Sequence, residues 1–97
     1  MFPIALYSTI SEHAQLTGLS STKTLPVPTG ANAVIIQALT QNVRIKLSGA
    51  ATASAGFQIK AGDAAVLIPT GGADISVREE TASATVEYQF VKVHGLG

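Results

Sequence analysis

The sequence predicts an all-β domain, a single antiparallel β-sandwich of roughly seven to nine short strands with jelly-roll-like connections. Three observations carry this. No window places apolar residues at i, i+3, i+4 and i+7 over three turns, and Thr, Ser, Gly and β-branched residues are spread throughout. Short apolar or alternating runs recur instead. Turn-forming clusters separate these runs roughly every eight to twelve residues, the spacing of sandwiches and barrels.

The elements follow in order. Phe2 to Ile10 is a first apolar run, and a looser segment follows through Ala14, Leu16 and Leu19. Thr22 to Val27 alternates, and Pro26 restricts it to an edge or a strand end because proline lacks the amide proton a central strand needs. Pro28 to Asn32 is a turn by composition. Ala33 to Leu39 reads as a buried strand. Val43, Ile45 and Leu47 then alternate with Arg44 and Lys46, which puts the first three in the core and the two cations outside. Thr40-Gln41-Asn42 between them predicts a tight hairpin, with Asn42 best suited to a left-handed conformation.

Ser48 to Gly56 is a small-residue loop, since glycines bracket it and Ser and Thr interrupt it. Phe57 to Lys60 is a short strand ended by the Ala61-Gly62-Asp63 turn. Ala64 to Ile68 follows and Pro69-Thr70-Gly71-Gly72 closes it. Asp74 to Glu79 sets Ile75 and Val77 on one face and Asp74, Ser76 and Arg78 on the other. Glu80 to Ser83 turns the chain. Ala84 to Val93 completes it, with Val86, Tyr88 and Phe90 sharing a face. No linker or internal repeat divides residues 1–97, so they form one domain.

Composition bounds the function. Leu, Ile, Val and Phe make up 27 of 97 residues, enough for a small core. Charged residues are only 12%, against about 25% in ordinary soluble proteins, and the six basic and six acidic side chains cancel. Six scattered cations do not build the electrostatic footprint of a nucleic-acid binder or a polybasic membrane anchor. The apolar runs are too short to span a bilayer as a helix, and the first residues carry no basic segment of a signal peptide. With no Cys there is no disulfide framework and no thiolate chemistry. Fifteen Ala, ten Thr and eight Ser give a weakly polar exterior, suited to a chain that packs against partners.

Chemistry-bearing residues are sparse. His13 and His94 meet only if the terminal strands pair, and two ligands without a third are no catalytic metal site. No serine sits in a nucleophile-elbow context. Glu79 and Glu80 are adjacent on a strand end, so they point to opposite faces and cannot work as a pair. Asp63 and Asp74 stand at turn and strand-start positions, where Asp serves local backbone hydrogen bonds. The absence of Trp weakens a sugar-binding reading. Neither a catalytic residue nor a cofactor is expected.

Two resemblances add to this. Phe57 to Gly71 (FQIKAGDAAVLIPTG) looks like the central strand–turn–strand of cupin barrels, through Gly62-Asp63 and Ile68-Pro69-Thr70-Gly71. Residues 43–56 contain no His or Glu, so the cupin metal ligands have no counterparts. The likeness therefore implies a jelly-roll turn geometry without a cupin metal site. A longer likeness covers residues 30 to about 92, through Gly30-Ala31-Asn32, Ile35-Ile36-Gln37-Ala38, Asn42-Val43-Arg44, Ser48-Gly49, Thr52-Ala53-Ser54, Gly56 and Ala61-Gly62-Asp63. It resembles small virion proteins of tailed bacteriophages, structural or decoration proteins. The chain departs from their pattern at Ser48, where Asp is usual, and at Ala51, where Pro is usual.

This second resemblance implies a non-enzymatic virion structural protein made in the bacterial cytoplasm and carried on the capsid surface. Its role would be head decoration or cement, holding the major capsid protein through many weak contacts and binding itself as a trimer or dimer. A tail, baseplate or fibre-attachment component is the alternative within the virion. A small-ligand or glycan-binding β-module is the alternative of another class. Arg44 is the external charge expected to bridge to a neighbour, its other reading being a solvated strand residue. Phe2 and Ile4, in an N-terminal segment too apolar for a free tail, are the other expected contacts. That segment either adds a strand to its own sheet or augments a neighbour's.

Overall fold

The computed structural model describes residues 7–52 and 54–94, which form nine strands and no helix. They are β1 (Tyr7–Thr9), β2 (Ala14–Leu16), β3 (Lys23–Leu25), β4 (Ala33–Ala38), β5 (Val43–Leu47), β6 (Phe57–Ile59), β7 (Val66–Pro69), β8 (Ile75–Glu79) and β9 (Val86–Val93). One sheet runs β1-β9-β4-β7, with β2 also on β9 beside β1. The other runs β3-β8-β5-β6, and every pairing is antiparallel.

The partners nest about one centre. Tyr7 pairs with Val93, Lys23 with Val77, Ala33 with Pro69 and Val43 with Ile59, so the chain is a single long hairpin bent near Ala50 and Ala51. Rolled so that successive arms fall in alternate sheets, such a hairpin is a jelly roll, the connection expected from the sequence. β3 stops at Leu25, just before Pro26, and lies at a sheet edge, as proline requires.

The hairpin expected at Thr40-Gln41-Asn42 is not formed. β4 and β5 belong to different sheets, and the three residues carry the chain across the sandwich. Alternation fixes which side chains face inward but not which strand lies alongside. Among the described residues the one hairpin between consecutive strands of a sheet is β5–β6, where Ser48, just past β5, rather than Asn42 takes the left-handed conformation (φ 56°).

The core lies between the sheets. It takes Val34, Ile36 and Ala38 from β4, Val43 and Ile45 from β5, Ile75 and Val77 from β8, and Val86 and Phe90 from β9. Tyr88 packs against it, edge-on to Phe90 at 5.8 Å between ring centres. Leu19, in the β2–β3 loop, is wholly buried in this core, and its carbonyl accepts the Glu79 amide at 3.0 Å.

Ser76 departs from the expected pattern. It stands on the outer face of β8, yet it is fully buried because the 48–52 loop folds over it. Its hydroxyl accepts the Ala51 amide (2.8 Å) and donates to the Gly49 carbonyl (2.6 Å), while Thr22 Oγ1 donates to the Ala51 carbonyl (2.6 Å). A proline at 51, usual in the virion-protein pattern, would lack the amide that holds this loop.

Candidate functional site

Arg44 stands in mid-β5 on the outer face of its sheet. Its in-register neighbours are Gln58 of β6 on one side and Arg78 of β8 on the other. Two guanidinium-bearing residues directly opposite each other repel unless a carboxylate intervenes. Glu80 supplies it. Two residues beyond Arg78, it returns to the same face, and its Oε2 lies 2.5 Å from Arg44 Nε. Arg44 Nη1 donates to the Gly56 carbonyl at 3.1 Å, and Gln58 Nε2 donates to both Glu80 oxygens at 2.9 and 3.1 Å.

Removal from water, the largest single influence on Glu80, pushes its carboxyl upward. Hydrogen bonds from Gln58 and Arg44, the Arg44 charge and the Asn42 side chain together outweigh it and hold Glu80 below the ordinary glutamate value. A carboxyl depressed in the folded state favours folding fully above its unfolded value, and that contribution is lost as pH falls through the folded one. Urea midpoints of the wild type are therefore expected to fall between pH 5 and pH 3 more steeply than those of Glu80→Gln. Equal slopes would show that the pair does not couple to folding.

The sequence-predicted contacts thus fall out as follows. Arg44 is engaged within its own chain, with a quarter of its side chain exposed. Phe2 and Ile4 lie outside the described residues. Among the described residues Arg78 has no carboxylate partner, and its buried Nε has no hydrogen-bond partner. Its pairing with Arg44 depends on the β5–β8 register, which alternation does not reveal. Glu79 and Glu80 do point to opposite faces, Glu79 being buried with Oε1 accepting the Ala84 amide at 3.2 Å.

The histidines are drawn to opposite ends of β9. His13 pairs with Glu87 at 3.1 Å, and His94 Nε2 lies 2.9 Å from Ser8 Oγ. His13, Glu87, Tyr88 and Gln89 border a shallow hollow of about 120 Å³ on the first sheet. Among the described residues no three His, Asp or Glu side chains gather to hold a metal ion.

A different kind of surface lies where β6 and β7 end their sheets. Phe57 shares a face with Ile45, and Val66 with Ile36, so both point toward the core. With no strand beyond them among the described residues they emerge at the rim, Phe57 70% and Val66 38% exposed. Leu67, on the outer face of β7, is 37% exposed. A hollow of about 270 Å³ lined by Gln58, Ile59, Lys60, Asp63, Ala64 and Val66 runs along the seam between the two strands. Sequence reading placed these residues in strands but could not show that both strands end their sheets on one side.

No family model, curated protein or solved structure matches the chain.

Proposed function

We propose that the chain is a non-enzymatic structural protein of a tailed-bacteriophage virion, a head decoration or cement protein binding the major capsid protein through many weak contacts. The observation that carries a protein-contact role is the open rim, where Phe57, Val66 and Leu67 are exposed on β6 and β7, which end their sheets. Large apolar side chains left exposed on strands that end their sheets are ones that a partner can cover. The polar groups of β5, β6 and β8 support the same reading, because Arg44, Gln58, Glu79 and Glu80 are engaged in holding the fold. The phage assignment rests on the sequence resemblance across residues 30 to about 92. The jelly roll alone decides nothing, since capsid, lectin and cupin domains share it.

The hollow beside His13 and Tyr88 favours a small-ligand or glycan module as second reading, but its 120 Å³ falls below the roughly 300–1,000 Å³ of ordinary ligand sites.

Gold-tagged antibody against the chain, applied to particles of the encoding phage, is expected to label heads evenly. Particles lacking the chain are expected to release DNA at lower temperature. Label confined to tails would move the protein to the tail, and unlabelled particles from a lysate that contains the chain would overturn the virion reading.

A further inference from the structure

We propose that the open rim is a homodimer interface in which β7 pairs antiparallel with β7 of a second copy, about a two-fold axis at Leu67. The inference rests on reading the rim as a protein-contact surface and does not depend on the virion.

Backbone directions come first. The Ala38 carbonyl accepts the Gly62 amide at 3.2 Å, the Leu39 amide donates to the Thr85 carbonyl at 2.8 Å, and Ala33 faces Pro69, which has no amide proton to give. Asn32, just before β4, bonds to both sides, to Thr70 through its carbonyl and to Val91 through its amide. Even-numbered residues of β4 therefore face β7 and odd-numbered ones face β9. Val34 and Ile36 bond Ile68 and Val66, which leaves the Leu67 amide and carbonyl pointing away from the sheet. Pro69 falls on the same outward side, where its missing amide proton costs β7 nothing.

That outward edge is self-complementary. With Leu67 opposite Leu67 of the second copy, each amide donates to the other carbonyl, and each Ala65 amide meets a Pro69 carbonyl. Pro69 donates nothing in either register, but setting Leu67 opposite Pro69 leaves both Leu67 carbonyls without a donor. The Gly71 amides that would then face Ala65 already donate to the Asn32 carbonyl, so the Leu67 alignment keeps the more complete ladder. The two Leu67 side chains then meet on the outer face, and the rims carrying Phe57 and Val66 are brought toward each other.

The self-matching backbone points to a second copy as the occupant, and charge does not oppose it. No charged residue occurs from Ala64 to Ala73, so this edge offers no electrostatic preference for a foreign partner, and a chain of zero net charge does not repel itself. The other edges are guarded. β3 carries Lys23 and stops before Pro26, β6 has three residues and runs into Lys60, and β1 and β2 have three residues each and are interrupted by Glu12 and His13. An unguarded edge beside guarded ones is one that is meant to be paired.

The purified full-length chain is expected to run as a concentration-dependent dimer by size exclusion with light scattering. Leu67→Pro removes an amide that points away from the sheet and has no strand partner among the described residues, and is expected to weaken the dimer roughly 10–100-fold while keeping the β-type circular dichroism. Because the chain has no cysteine, Leu67→Cys tests the geometry even if the proline variant misfolds. Oxidation is expected to give a covalent dimer from Leu67→Cys but not from Thr24→Cys on the β3 edge. A wild type monomeric at about 1 mM, an oligomer unchanged by Leu67→Pro, or equal cross-linking of the two cysteine variants would overturn the proposal. So would displacement of the pairing by a free peptide of residues 1–10, which would make the N-terminal segment the occupant. A monomer still found on virions rejects the two-fold pairing alone, whereas a dimer absent from virions rejects only the virion reading.

Discussion

Gly56→Ala is expected to lower the melting temperature by at least about 10 °C. Gly56 sits just before β6 with φ +121°, a conformation that L-residues rarely adopt, and a Cβ there would lie 2.8 Å from the backbone oxygen of Ile45. Backbone strain contributes about 1–3 kcal/mol and forced displacement of a packed strand about as much again. Together they are a large share of the roughly 5–15 kcal/mol that holds a domain of this size. Gly71→Ala is the control: φ is +62° and nothing lies within 4 Å, so only about 1–2 kcal/mol is expected. Equal losses at the two positions would show that the close approach to Ile45 is relieved at no cost. Because the Gly56 carbonyl also accepts from Arg44, the variant should blunt the acid dependence attributed to Glu80 as well.

Leu19→Ala is expected to destabilise the fold by about 2–5 kcal/mol, as for a leucine in mid-strand. The side chain is fully buried although its residue belongs to no strand, so it closes the core from a loop. Truncation leaves a cavity that the sheets, held by ladders on both sides, cannot collapse to fill. Urea unfolding is the measurement, and a loss below about 1 kcal/mol would mean that the loop relaxes into the space. Leu39→Ala, at a site more than a third exposed, should cost much less.

How legible all this was depends on the range of the interaction. The faces of β5, β8 and β9 follow from alternation, because inside and outside repeat every second residue along the chain. The edge position of β3 follows from the single residue Pro26. The neighbour of a strand has no such local signature, which is why Thr40-Gln41-Asn42 read as a hairpin and proved to be a crossing between sheets. The same gap hid the polar site. Arg44 could be named as an outward cation, but its partners Glu80 and Gln58 are brought to it by the β5–β8 and β5–β6 registers. Ser76 reads as an outward residue for a related reason, since a loop that folds back over a sheet changes exposure without changing the alternation.

The nested pairing about Ala50 and Ala51 also sets an order of events for the refolding chain. Closing β5 against β6 needs only a short loop, whereas β1 must find β9 across almost the whole chain. Loop-closure entropy rises with that span, so formation is expected to zip outward from the tip on the milliseconds-to-seconds scale of proteins dominated by non-local contacts. β4–β7 is the next nested pair, and the unguarded edge of β7 is therefore built before the outer strands have joined. Refolding yield should accordingly fall as concentration rises, with the early intermediate rather than the finished sandwich as the aggregating species.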